Sequence, residues 1–321
     1  MNQIMKRLAV MCMSMLAVGL MVISISSCKD DPIPLPTVDF VTVVTDYEVN
    51  ITVESTNATT FAWDYGDTQT STESVSHKHT YAKSGTYAIK VTVTNESGSA
   101  TKTVSVDIAA SMKELLAGTD NGKVWVLDNN AETKLQKITP TLEPLWAALP
   151  ANALAAFDLQ VEYDNEYTFK PAGGYAVAGK NGAVLTGLLY ASVYQIDQIV
   201  PPNSAGAGLT GAAFADVANG EYTLNEKKDL VLEVANEDYP SGTNNDGVKT
   251  VTFTNANYLT FKAGSHFGIR DFTTTVLIRS ITASKMDVTF FLSTLNPMDG
   301  FPESVFTKPS IAISASLKVK P

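Results

Sequence analysis

The sequence predicts an all-β protein, a small β-sandwich followed by a larger β-sandwich or jelly roll, and three observations carry that expectation. Thr, Val, Ala and Ser dominate beyond the N-terminal segment while charged residues make up only 17%, and β-branched side chains suit a pleated, half-buried surface. Short runs alternate apolar and polar residues between turns rich in Gly, Asn, Asp and Ser. No long stretch has the period of an amphipathic helix. The length of 321 residues leaves room for about two domains.

The first element is not part of that body. Lys6 and Arg7 precede an apolar run from Leu8 to Ile25, and two small residues and a cysteine follow it. That order predicts a secretory signal over residues 1–27. Ile25-Ser26-Ser27-Cys28 resembles the bacterial lipobox, which implies lipidation of Cys28 and attachment to a membrane through that lipid. A transmembrane anchor is the competing reading, because the run reaches the roughly 18 residues at which a helix could cross a bilayer. A plain anchor, however, has no need of a cysteine behind two serines. Lys29-Asp30-Asp31 resembles the surface-export signal of Bacteroidetes lipoproteins, implying an outer-membrane, cell-surface location. Pro32, Pro34 and Pro36 alternate within residues 28–37, and this spacing predicts an extended tether.

Residues 38–109 alternate over Tyr47–Val53, Thr60–Tyr65, Thr86–Val93 and Thr101–Ile108, with turns at Gly66-Asp67, Ser84-Gly85 and Asn95-Glu96-Ser97-Gly98. One small sandwich accounts for such a run. Phe61-Ala62-Trp63-Asp64-Tyr65-Gly66-Asp67, His77-Lys78-His79-Thr80-Tyr81, Gly85-Thr86-Tyr87 and Val91-Thr92-Val93-Thr94-Asn95 resemble the polycystic-kidney-disease (PKD) repeat. The resemblance implies an immunoglobulin-like spacer with Trp63 in its core and a hairpin fixed at Gly66-Asp67. His77 and His79 alternate on one side of a strand, as half of a metal site would, but the resemblance gives His79-Thr80-Tyr81 a structural role.

Residues 112–321 form the second module. Strands are expected at Lys123–Asp128, Asp158–Tyr163, Glu166–Lys170, Tyr175–Ala178, Glu221–Leu224, Leu230–Ala235, Lys249–Thr254, Tyr258–Lys262, Thr274–Ile281, Met286–Thr294 and Ile311–Val319. The Gly- and Ala-rich stretch from Pro201 to Gly220 is expected to be a long loop. Leu115-Leu116-Ala117-Gly118, read as a strand leading into Lys123–Asp128, then Pro144-Leu145-Trp146-Ala147 and Tyr163–Phe169, resemble a domain found behind PKD repeats in Bacteroidetes surface glycan-binding lipoproteins of polysaccharide utilisation systems. That resemblance implies capture of a polysaccharide or oligosaccharide without catalysis, a neutral β-glucan as ligand, and an outer-membrane glycan importer as partner.

A sugar ring offers an apolar C–H face and a rim of hydroxyls, so its site wants an exposed aromatic ring beside amides or carboxylates. Trp125 and Trp146 are the tryptophans of this module, and Tyr163 and Asp164 complete the candidate ligand-binding set. Trp125 lies in an apolar alternation and competes as a core residue, whereas Trp146 lies between Pro144 and Pro150 on an expected loop. Within Glu162-Tyr163-Asp164-Asn165-Glu166, three carboxylates at period two would share one face of a strand. Their spacing resembles the Glu-x-Asp-x-Glu motif of family 16 glycoside hydrolases, which makes catalysis by Glu162 and Glu166 the alternative reading. Retaining hydrolysis needs carboxyls roughly 5 Å apart, and residues i and i+4 of a strand are about 13 Å apart at Cα. Calcium held by Asp158, Glu162 or Asp164 is a further alternative, and adhesion to a protein ligand is another.

Other chemistries lack their residues. Cys12 falls in the signal segment and Cys28 is the lipid site, leaving no thiol for disulfides, thiolate metal sites or nucleophiles. Nucleophile elbows, phosphate-binding glycine loops and His-Glu-x-x-His are missing from the sequence, and no cofactor is expected. His266, in Gly264-Ser265-His266-Phe267-Gly268, is expected as a turn residue. A net charge of −10 argues against nucleic acid, which requires a basic footprint, and against an electrostatic grip on anionic polysaccharide.

Overall fold

The computed structural model describes residues 32–180, 182–200, 208–236, 247–262, 264–294 and 302–321. The expected signal peptide, Cys28 with its lipobox, Lys29-Asp30-Asp31 and residues 201–207 of the expected loop lie outside the described residues. The chain divides into two units between Ala109 and Ala110.

In the first unit, β1 (Thr37–Thr45), β2 (Glu48–Thr56) and β5 (His77–Thr80) form one antiparallel sheet. The second sheet runs in the order β4 (Thr70–Ser71), β3 (Thr60–Asp64), β6 (Gly85–Asn95), β7 (Gly98–Ile108). Alternation along β3 and β6 sends Phe61, Trp63, Ile89, Val91 and Val93 into the core between the sheets. Trp63 meets Phe40 of the opposite sheet edge-on at 5.1 Å, and its indole N–H donates to the Glu73 carbonyl at 2.8 Å. Gly66 adopts φ 78°, and a Cβ there would sit 3.1 Å from the backbone of Ala88, so this turn needs glycine. His77 and His79 do share a side, but both are engaged. His79 stacks on Tyr65 at 3.9 Å and donates from Nε2 to Asp67 at 2.8 Å. His77 donates from Nδ1 to the Val75 carbonyl and accepts the Tyr65 hydroxyl at Nε2, 2.7 Å away. The expected tether is pinned where it is described, because Asn95 Nδ2 donates to the Pro34 carbonyl at 2.8 Å.

The second unit begins with a helix where a strand was expected. In α1 (Met112–Ala117), Ser111 Oγ accepts the Glu114 N–H at 3.1 Å and Gly118 ends the helix at φ 71°, the pairing of cap residues that favours a short helix. The strands that follow are β8 (Lys123–Leu127), β9 (Thr133–Lys137), β10 (Leu145–Leu149), β11 (Glu166–Phe169), β12 (Gly174–Ala178) and β13 (Ala183–Gly187). After α2 (Leu188–Val193) come β14 (Gln198–Val200), β15 (Leu209–Ala213), β16 (Val217–Ala235), β17 (Val248–Phe261), β18 (Thr275–Ile281), β19 (Lys285–Leu292) and β20 (Ile311–Val319).

Apart from β13, β15 and β14, which form a separate three-stranded sheet, these strands make a β-sandwich whose layers are hydrogen-bonded to each other at both margins. The antiparallel ladder runs β8-β11-β12-β16-β17-β18-β19-β20, and β20 returns to β8 through Leu317↔Leu127 and Val319↔Trp125. Closure of this kind removes the edges of the ring itself. The other half of β20 pairs with β9 through Ile311↔Lys137 and Ser314↔Lys134, so the β9–β10 hairpin leaves the ring as a flap. Side chains fill the interior: Trp125, Tyr167, Phe169, Tyr175, Leu259, Met286 and Leu317 are fully buried, each stabilising the fold by roughly 1.5–3 kcal/mol through burial. At Gly268, φ is 68° and a Cβ would come within 2.3 Å of the Phe290 ring, which lets that ring close over the backbone.

Several strand expectations change here. Glu221–Leu224 and Leu230–Ala235 belong to one strand, β16, and Lys249–Thr254 and Tyr258–Lys262 belong to β17. Lys227 (φ 50°) and Asn255 (φ 51°) lie near the register shifts that bend this hairpin. Beyond the bend, Leu230, Leu232, Val251 and Phe253 pack with Leu277, Phe291 and Ala312 in a second core. Asp158–Tyr163 is not a strand. It begins just after one 3₁₀ turn, Ala153–Phe157, and enters a second, Gln160–Asp164; these turns follow the left-handed residues Asn152 (φ 58°) and Asp158 (φ 59°), residue types that tolerate that conformation. The described part of the expected loop 201–220 contains β15 and the start of β16.

Candidate functional site

Trp146 lies on β10 rather than on a loop. The β9–β10 register pairs Leu145 with Gln136 and Ala147 with Leu135, so Trp146 is the extra residue of a β-bulge. In a regular strand Leu145 and Trp146 would point to opposite faces, and a bulge re-aims one of them. Both are exposed, at 43% and 47%, on the outer strand of the hairpin.

Trp125 presents no face to a ligand, which corrects its assignment to the binding set. It is 0% exposed, its indole N–H donates to the Leu116 carbonyl at 2.8 Å, and its strand is paired on both sides. Tyr163 and Asp164 do share a surface groove of about 400 Å³ with Val126, Glu166, Lys180 and Lys320. Tyr163 is partly buried, and its hydroxyl accepts the Leu154 N–H at 3.3 Å. Glu166 is bonded to Lys320 and to Lys180, the latter at 3.0 Å. Burial raises its pKa, but the two ammonium groups outweigh that and hold it below the usual carboxylate range.

The carboxylate run does not share a face, because the 3₁₀ turn rotates its members apart. Asp164 is exposed and Glu166 faces the lysines, while Glu162 is buried. Glu162 Oε1 accepts the Tyr167 hydroxyl; Oε2 accepts Asn165 Nδ2 at 2.9 Å and the Leu185 N–H at 2.7 Å. Burial pushes its pKa up to about 7. A nucleophile and acid pair at Glu162 and Glu166 is therefore not assembled: one member is sealed in the core and the other is neutralised at the surface. The carboxylates of the calcium alternative are likewise separated, Glu162 being buried and Asp158 and Asp164 exposed. No cluster of three or more His, Cys, Asp or Glu with metal-binding geometry occurs among the described residues. His266 follows the turn at Gly264 and is buried, with its carbonyl accepting the Tyr175 hydroxyl at 2.7 Å.

A cluster of aromatic rings that sequence reasoning passed over lies at α2. Tyr190 is 4.6 Å from Tyr194 and 5.1 Å from Phe272, and Tyr194 is 6.0 Å from Phe272. Tyr194 is 59% exposed. The Arg270 guanidinium lies 4.8 Å from the Phe214 ring and 5.5 Å from Tyr190. The available signal was the i, i+4 spacing of Tyr190 and Tyr194, which puts two rings on one face of a helical turn.

The first unit thus has the architecture of an immunoglobulin-like sandwich and the second that of a closed β-sandwich. Residues 36–110 match the family described as the PKD domain, and this part of the chain is a PKD domain. Two solved PKD structures match it: the PKD1 domain of Vibrio anguillarum Epp (24% identity, 24% of this chain and 98% of that chain, TM-score 0.23) and the PKD1 domain of the Vibrio cholerae metalloprotease PrtV (29% identity, 24% and 100%, TM-score 0.23). A structure reported for the promiscuous specificity of carbohydrate-binding modules from the β-sandwich superfamily matches 89% of this chain and 92% of its own, with 12% identity and a TM-score of 0.25. No curated protein matches the chain.

Proposed function

We propose that this protein is a lipid-anchored, cell-surface glycan-binding protein that captures a polysaccharide for uptake and does not cleave it. Cys28 carries the lipid, the PKD domain acts as a spacer, and the second unit holds the ligand for transfer to an outer-membrane importer. The observation that carries the reading is the bulged, half-exposed Trp146 beside Leu145. An indole held on a hydrogen-bonded strand offers a flat apolar face to sugar C–H groups at little entropic cost. A neutral β-glucan is the leading ligand, from family resemblance and the net charge of −10. The separation of Glu162 from Glu166 supports binding without hydrolysis.

The second reading, adhesion to a protein, is favoured by one feature: β10 is the outer strand of its sheet, and an extended peptide can add to such a strand. A glycan screen of the secreted chain, read for both retention and sugar release, separates the readings. Retention without release is expected. Release of oligosaccharide would make the protein an enzyme, and no retention of any glycan would favour the protein ligand.

A further inference from the structure

The aromatic cluster at α2 has features that neither a structural core nor the Trp146 surface requires. Tyr190, Tyr194 and Phe272 are tilted 42° to 69° to one another, which makes a shallow cradle rather than a flat stack. Arg270 rests against the edge of that cradle. Its guanidinium lies against the Phe214 and Tyr190 rings, and a guanidinium on aromatic rings is held by cation–π attraction that leaves its in-plane N–H groups free. Among the described residues no carboxylate or carbonyl takes those donors. The backbone around the residue is fixed, since Arg270 N–H donates to the Leu185 carbonyl at 2.8 Å and its carbonyl accepts the Gly187 N–H at 2.9 Å.

The neighbouring Asp271 does not neutralise this cation. Its carboxylate is buried and accepts the Phe272 N–H at 2.6 Å and the Ser293 N–H at 2.8 Å. Beside Arg270 a cavity of about 40 Å³ is lined by Tyr190, Ser265, His266, Asp271 and Thr274. That is too small for a sugar ring but sufficient for one exocyclic group or a water. His266 lines this cavity, is buried, and has no hydrogen-bond partner at either ring nitrogen. Burial and the Arg270 charge push its pKa down to about 3, so the ring is neutral and presents one N–H and one lone pair. Buried polar groups in folded proteins are nearly always partnered.

We propose that Tyr190, Tyr194, Phe272 and Arg270 form a second ligand site that takes a carboxylate-bearing sugar. The pyranose ring lies in the aromatic cradle, its carboxylate takes the Arg270 fork, and an adjacent hydroxyl enters the cavity toward His266. A single planar fork suits a carboxylate, whereas a dianionic phosphate would call for a second cation, and among the described residues Arg270 is the only cation lining the cavity. The whole-chain charge of −10 does not oppose this locally, because exposed charges beyond about 8 Å are screened at physiological salt. The site extends the glycan-capture reading without depending on Trp146.

The test titrates the mature protein with oligogalacturonate, a glucuronate-containing oligosaccharide and sialyllactose, each as the free acid and as its methyl ester. At least one acid is expected to bind, with its ester about tenfold weaker or more, and Arg270→Gln should bring the acid down to the level of the ester. Tyr194→Ala, at an exposed position, should weaken acid and ester together and leave neutral glucan binding unchanged. Should Arg270→Gln lower the melting temperature, Arg270→Lys keeps the charge without the fork and is expected to fall between wild type and Gln. Trp146→Ala should leave acidic-sugar binding intact, so a failure at Trp146 is distinguishable from a failure here. No binding of any acid at millimolar concentration, or acid and ester bound alike with Arg270→Gln unaffected, would overturn the proposal.

Discussion

Glu162 belongs to the carboxylate pair of the alternative, catalytic reading, and its surroundings are those of a buried structural group. Its carboxyl is sealed among Tyr167, Asn165 and Leu185, and burial raises its pKa from 4.5 to about 7. The folded state therefore binds a proton that the unfolded state has already released, and stability falls as pH rises from about 4.5 through about 7. Protonated, Oε1 can donate to the Tyr167 oxygen while that hydroxyl donates to the Gly268 carbonyl at 3.3 Å. Gln at this position reproduces that arrangement, with its amide nitrogen at Oε1 and its oxygen accepting from Asn165 and Leu185. Glu162→Gln is thus expected to fold, to flatten the decline in stability across that window, and to exceed wild type above pH 7 by on the order of 1–3 kcal/mol. Thermal melts at several pH values would show it, and an unchanged slope would mean Glu162 titrates normally. Trp125 was legible as a core candidate from its apolar strand. Burial of Glu162 was not legible, because its partners Tyr167 and Leu185 reach it only through the fold.

At the scale of elements, alternation identified the strands that carry one apolar face, such as β11 and β12. It failed where other forces set the backbone. Asp158-Leu159-Gln160-Val161-Glu162-Tyr163 alternates polar and apolar residues as a strand would, yet left-handed Asn152 and Asp158 wind the region into 3₁₀ turns. β15 is buried on both faces, so it shows no alternation, and its glycine and alanines resemble a loop. β10 lies between Pro144 and Pro150, and a bulge at Trp146 breaks its period of two, so that Leu145 and Trp146 are both exposed. The bend in the β16–β17 hairpin rests partly on Asn255 at φ 51°, a conformation that β-branched residues resist. Asn255→Val is expected to destabilise the protein by about 1–2 kcal/mol, measured by denaturant unfolding. Asn255→Gly should cost little, and equal losses in the two variants would place the effect in the side chain instead.

For the whole molecule, the all-β class was legible in composition and turn spacing, and the PKD domain in its spaced motifs. Closure of the second unit was not, because β20 must meet strands that lie far away in sequence, and long-range pairing leaves no local period. In the proposed function, attachment to a membrane rests on Cys28. Among the described residues, which begin at Pro32, no helix is long and apolar enough to cross a bilayer; the proposed lipid on Cys28 is an anchor that requires no span. Cys28→Ala is expected to move the protein from the membrane fraction to the soluble fraction. If it stays with the membrane after signal cleavage, another anchor exists.

The central claim is that the second unit holds a glycan through an exposed indole and leaves it intact. Calorimetric titration of wild type and Trp146→Ala with a neutral β-glucan oligosaccharide, followed by analysis of the recovered sugar, tests it directly. The expected result is saturable binding by wild type, a loss on the order of 2 kcal/mol or more in the variant, and an oligosaccharide recovered at its original length. Equal affinity in wild type and variant, or shortened sugar after incubation with wild type, would contradict the account.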